Sequence, residues 1–161
     1  MLSRLIAFLF LSYATAVAAE DPAPDPSRLT LVFGPYVQHF HYDPDHVNTP
    51  WLTGLEWGPH GSPVDFGAAL FRNSFGQDSV YAYVAKRWFY RDDGQGVFLN
   101  LTGGILYGYV GQYEDKVPFN HNGFAPAIIP ALGYQYRDVN AQVVLLGTNA
   151  LLFTVGYDFW K

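Results

Sequence analysis

Two short stretches carry most of the side chains able to do acid–base or nucleophilic work. The first is HFHYDPDH at 39–46, where His39 and His41 stand two apart and Asp43, Asp45 and His46 follow. Residues two apart share one face of a strand, and two histidines with carboxylates nearby have the donor types of a metal site. The same residues also line polar lumens and rims. Either histidine can act as a general base near neutral pH, because its ordinary pKa is about 6.5. The second stretch is FRNSFG at 71–76, which sets Ser74 beside Asn73 and turns on Gly76. A serine hydroxyl needs a neighbouring base to become a nucleophile, and His39 or His41 can supply one from another strand. Asn and Ser are equally at home in turns, where they bind loop backbone, so spacing alone leaves both uses open. The chain has no cysteine, which removes thiolate chemistry, disulfides and cysteine-ligated zinc. No cofactor and no resident metal are expected.

The elements that must position these groups read as strands. After Arg28 the chain breaks into aromatic and β-branched runs at 29–42, 51–57, 64–73, 79–90, 97–109, 124–136, 141–147 and 150–160. Gly, Pro, Asn and Asp clusters separate them, and none shows a helical stripe. DDGQG at 92–96 and the residues 137–140 are short connections, whereas 43–50, 58–63 and 111–123 are longer and polar. In 97–109 one face reads Val, Leu, Leu, Gly, Ile, Tyr, Tyr and the other Phe, Asn, Thr, Gly, Leu, Gly. In 150–160 one face carries Leu151, Phe153, Val155, Tyr157 and Phe159, and the other Ala150, Leu152, Thr154, Gly156 and Asp158. A strand with lipid on one side and a small polar lumen on the other has this pattern. The expected fold is all-β: an eight-stranded antiparallel up-and-down transmembrane barrel over 29–161.

Composition supports a wall that meets lipid. Of 161 residues, 50% are hydrophobic and 14% charged, against about 25% charged in ordinary soluble domains. The net charge of -5 argues against nucleic acid, whose phosphates need a basic stripe. Residues 1–19 read as a signal peptide, with Arg4 before the apolar run 5–11 and small residues at 16–19. That run is shorter than the ~20 residues of a membrane-spanning helix. Residues 20–28 form an acidic, proline-rich extended leader. Strands in hydrocarbon must close, because open edges leave backbone groups unpaired. Eight strands leave room for side chains or one slender ligand, which disfavours a water-filled pore.

The stretch from His39 to Trp88 resembles the PagP-type lipid A palmitoyltransferases, especially divergent relatives among small outer-membrane barrels. The resemblance lies in His39, the polar loop through Asn48, the strand TGLEW at 53–57, Phe71-Arg72-Asn73-Ser74-Phe75 and GQDSVYAYVAKRW at 76–88. FAPAIIPALGY at 124–134 is similar to a late strand of that family whose prolines open the wall to lipid, and Pro35 and Pro50 are similarly placed. The likeness covers about two thirds of the mature chain, and its motifs are short. Two features depart from it: Asn73 stands where the best-known members carry Asp, and the amphipathic N-terminal helix is missing.

The resemblance implies transfer of a palmitoyl or similar acyl chain from a glycerophospholipid donor to lipid A, among the lipids of a Gram-negative outer membrane. It implies His39 as general base on the attacking hydroxyl, with Ser74 and Asn73 positioning or stabilising the oxyanion. Asn73→Asp would then be tolerated. A mainly apolar lumen would hold one chain, admitted through weakened pairing near Pro126 and Pro130. Two other readings stay open: a non-catalytic structural or ligand-binding barrel, and a lipid A deacylase using water as acceptor.

Overall fold

The computed structural model describes residues 27–160. Eight antiparallel strands form a closed barrel in which each pairs with its sequence neighbours and the last returns to the first. They are β1 (Arg28–His39), β2 (Leu52–Gly58), β3 (Asp65–Arg72), β4 (Asp78–Phe89), β5 (Gly96–Tyr107), β6 (Phe124–Tyr136), β7 (Val139–Leu146) and β8 (Ala150–Trp160). The expected signal peptide and most of the expected leader lie outside the described residues. Arg28, assigned to the leader from sequence, instead opens β1, where its guanidinium reaches inward to Asp65 at 2.5 Å. Val139 and Asn140, expected in a turn, belong to β7. The connection there shortens to Arg137 and Asp138, with Arg137 in the left-handed region at φ 53°.

The barrel has two unlike ends. Residues 40–51, 73–77, 108–123 and 147–149 connect strands at the loop end, while 59–64, 90–95 and 137–138 do so at the turn end. The connection after β5 contains a short 3-10 helix, Gly111–Lys116. Outward-pointing Leu31, Leu55, Leu70, Ile105, Ile128 and Leu132 are exposed. Aromatic side chains such as Tyr36, Trp51, Tyr107, Trp57, Tyr134 and Trp160 stand exposed near the strand ends. An apolar band flanked by aromatic girdles is the exterior of a barrel embedded in a bilayer.

Inside, the two halves differ in chemistry. Toward the turn end, Thr30, Glu56, Asn100, Gln135, Asn140, Gln142 and Asp158 are all buried. Arg28 lies within 3.9 Å of Glu56 and 3.8 Å of Asp158. Arg87 is bonded to Glu56 and lies 3.7 Å from Asp65. Two arginines thus balance most of three carboxylates in a low-dielectric space, as buried charges must. Toward the loop end, Val37, Ala150 and Leu152 are buried together, with Leu52, Val144 and Leu146 packed against them. Inward Leu106, Ala127 and Ile129 keep partial exposure. The expectation of a mainly apolar lumen therefore holds only for the loop-end half.

Tyr81 and Tyr83 separate the halves. Their rings stack at 4.9 Å. Tyr83 lies flat on Gly67, where an added Cβ would stand 2.2 Å from the ring. The Tyr83 hydroxyl donates to Glu56 at 3.3 Å, and that of Tyr81 meets Thr102 and Ala127.

Wall pairing is incomplete at the loop end in two places. β5 and β6 pair over their full length, including Leu101 with Pro130 and Ile105 with Pro126. A proline fits a ladder only with its nitrogen turned away from the partner, so both face β7. Pairing of β6 with β7 stops at Ala131, opposite Val144. Pro130 ends the ladder because it has no N–H to donate there. Pro126 lies past the end of β7 altogether. The second opening follows a bulge in β1 between Phe33 and Tyr36. Beyond Gly34, opposite Leu52, β1 pairs only with β8.

Candidate active site

The opening between β1 and β2 creates the site. Because β2 begins only at Leu52, residues 47–50 run as a strap between the end of β1 and the turn after β3. Val37 N–H donates to the Asn48 carbonyl (2.9 Å), Val47 N–H to that of Ser74 (2.8 Å), and Arg72 N–H to that of Pro50 (2.8 Å). Three backbone bonds therefore fix the spacing between the last residue of β1 and the turn that carries Ser74. His39 and Ser74, on different strands, come together through this local strap.

Ser74 Oγ lies 2.9 Å from His39 Nε2, and His39 Nδ1 lies 2.7 Å from Asn48 Oδ1. An amide oxygen can only accept, so Nδ1 carries the proton and neutral Nε2 is left as an acceptor aimed at the serine hydroxyl. The order is that of an acid–base–nucleophile relay with an amide in the orienting position, an arrangement that recurs on unrelated folds. The sequence reading missed Asn48. A His separated by one polar loop from an Asn was its only trace.

The histidines sort differently from expectation. His39 ends β1, and His41 lies beyond it, exposed in the loop, so the two do not share a strand face. His46 packs against His39 instead, with ring centroids 4.1 Å apart. Its Nε2 is 3.9 Å from Asp43 Oδ2, and its buried Nδ1 has no hydrogen-bond partner among the described residues. No group of three potential metal ligands is gathered among the described residues.

Asn73 does not face the reacting position. It is buried, and its Oδ1 accepts from the N–H groups of Phe75 (2.9 Å) and Gln77 (3.1 Å). Its Nδ2 donates to the Gly108 carbonyl at 3.2 Å and to Gln77 Oε1 at 3.3 Å. These four bonds exhaust the amide and leave nothing for an oxyanion. The expected tolerance of Asn73→Asp also fails on this geometry, because a second carboxylate oxygen would face two acceptors. Asn73 builds the Ser74 turn and ties it to the connection after β5.

That connection supplies an aromatic cover. Phe75 stacks on Tyr113 of the 3-10 helix at 4.3 Å, meets His46 at 5.4 Å and Tyr109 at 6.3 Å, and lies 5.9 Å from Lys116 Nζ. Burial pushes the Tyr109 phenol above the ordinary range.

No protein-family model matches the chain, and no curated protein sequence does. Among solved structures it is similar to the N-terminal β-barrel domain of Pseudomonas aeruginosa OprF, at 13% identity and a TM-score of 0.47, with 84% of this chain and 99% of that one covered.

Proposed function

We propose that this protein is an outer-membrane acyltransferase that moves a fatty acyl chain from a glycerophospholipid to lipid A. The observation that carries the reading is the Asn48–His39–Ser74 relay, with both bonds under 3 Å, at the loop end of a barrel with an apolar exterior. The inward side chains under it are mainly apolar, Val37, Ala69, Leu106 and Leu152 among them, which suits an acyl chain with its ester at Ser74. The unpaired stretch of β6 before Ala131 gives lipid a way through the wall without crossing a complete ladder. His39 takes a proton from Ser74 or from the acceptor hydroxyl, and Asn48 holds the ring in the tautomer that can do so.

The filled turn-end lumen also suits a barrel whose role is structural, and with lipid A as the acyl donor and water as the acceptor the same groups would give a deacylase. Mass spectrometry of lipid A from cells with and without the protein separates the three. One added acyl chain supports transfer, one lost chain supports deacylation, and an unchanged profile supports the structural barrel. His39→Ala and Ser74→Ala should each abolish the gain, since losing a general base costs about 10²- to 10⁴-fold. Both should still migrate differently before and after boiling on a denaturing gel, as folded barrels do.

A further inference from the structure

We propose that His46, in the loop between β1 and β2, is a positioning residue that holds the ring of His39 in place while Ser74 carries the acyl group. The inference rests on the acyl-transfer reading and gives a role to a histidine that the Asn48–His39–Ser74 relay does not use.

The need for such a residue follows from where the base stands. His39 is the last residue of β1 and half-buried, and β2 has already ended its pairing at Gly34. Its ring is held at two atoms, Nδ1 by Asn48 and Nε2 by Ser74. An acylated serine has no proton to offer, so the second bond is lost at that stage. One hydrogen bond then remains on a side chain whose outer torsion is broad.

His46 supplies the missing restraint as a contact on the ring face. Its centroid lies 4.1 Å from that of His39, with the planes 25° apart. The placement of His46 is itself fixed. Its N–H donates to the Asp43 carbonyl at 3.1 Å, in a turn where Asp43 Oδ1 accepts from Asp45 N–H at 3.0 Å. Phe75 meets its ring at 5.4 Å and 66°, and Phe75 is backed by Tyr113 at 4.3 Å. An N–H at the buried, unpartnered Nδ1 would be a donor without an acceptor. The ring proton therefore sits on Nε2, 3.9 Å from Asp43 Oδ2. Three successive residues of the strap thus act on the relay. His46 covers the face of the base, Val47 N–H holds the Ser74 carbonyl, and Asn48 holds the edge of the base.

The steps show when the face contact matters. Ser74 Oγ attacks the ester carbonyl as its proton passes to His39 Nε2, and the glycerol oxygen leaves with that proton. The acceptor hydroxyl then attacks the acyl-serine while its proton passes to the same Nε2, and Ser74 Oγ takes that proton as it leaves. Between these steps His39 waits with Nε2 free, held by Asn48 and His46.

The test compares His46→Ala with His46→Phe in purified, detergent-folded protein, each checked for a change of migration on boiling. Phe keeps a flat ring over His39 and removes both nitrogens. His46→Leu replaces His46→Ala should that variant not fold. Labelling of Ser74 by a long-chain alkyl fluorophosphonate reads the first step, in which the Ser74 bond still holds the ring. Turnover of a diacyl phospholipid in the presence of lipid A reads both steps, and intact mass reads acyl groups left on the protein. His46→Ala should lower turnover about 3- to 10-fold, the scale of one aromatic contact. Its labelling should fall less, and acylated Ser74 should accumulate during turnover. His46→Phe should match the parent in all three. Parental turnover in His46→Ala, equal losses of labelling and turnover, or a His46→Phe as slow as His46→Ala would each overturn the role of His46 and leave the acyl-transfer reading standing. Turnover without a Ser74 adduct would overturn it too. If the unsubstituted protein does not turn over phospholipid, the underlying reading falls and this one with it.

Discussion

The turn-end and loop-end halves of the barrel solve opposite problems with the same eight strands. At the turn end the ladders hold apart from a bulge between Leu29 and Thr30, and the lumen is closed by Arg28, Glu56, Asp65, Arg87 and Asp158. At the loop end two seams lose their ladder, the lumen turns apolar, and the reactive groups gather. A membrane barrel cannot leave backbone groups unpaired in hydrocarbon at will. The β6–β7 seam opens where Pro130 has already removed a donor, the β1–β2 seam is bridged by the 47–50 strap, and the intact half carries the closure. Fold integrity and chemistry are thus separated along the barrel axis, with Tyr81 and Tyr83 at the boundary.

That separation predicts that damage to one half should not spread to the other. Glu56→Ala leaves Arg87 buried without its main partner, and breaking such a pair costs about 3–5 kcal/mol. The unboiled form should convert at a markedly lower temperature, while Ser74 labelling below that temperature stays near normal. A large loss of labelling in a folded Glu56→Ala barrel would break the comparison. Asn73→Asp should cost about 1–3 kcal/mol through mispaired buried acceptors, and unlike Glu56→Ala it should also slow labelling, because it loosens the turn that carries Ser74. Asn48→Asp keeps an acceptor at His39 Nδ1 and should retain most activity, whereas Asn48→Ala frees the ring and should fall between the parent and His39→Ala. Pro130→Ala gives β6 a donor opposite Leu145 and should slow transfer modestly by lengthening the ladder. Pro126→Ala should do nothing, since β7 does not reach it. Equal effects from the two prolines would place lipid access elsewhere.

Much of the architecture was legible because barrel strands write their sidedness at every second residue. The alternation in 97–109 and 150–160 assigned the lipid and lumen faces correctly, and the strand limits of β6 and β8 match the sequence runs. The lumen's division was less legible, since Glu56, Asp65, Arg87 and Asp158 lie on different strands and only register brings them to one level. The site was half legible. His39 and Ser74 were visible by type, but Asn48 depends on a strap that exists only because β2 starts late. Asn73 looked catalytic by its place beside Ser74. Its four hydrogen bonds, two of them to Gln77, show that place to be structural.

The central claim is that His39 activates Ser74 toward acyl groups at the loop end. Folded protein incubated with a long-chain alkyl fluorophosphonate, followed by intact-mass measurement and peptide mapping, tests this most directly. The account predicts one adduct, located on Ser74 and lost in His39→Ala. No adduct, or one that His39→Ala leaves undiminished, would contradict it.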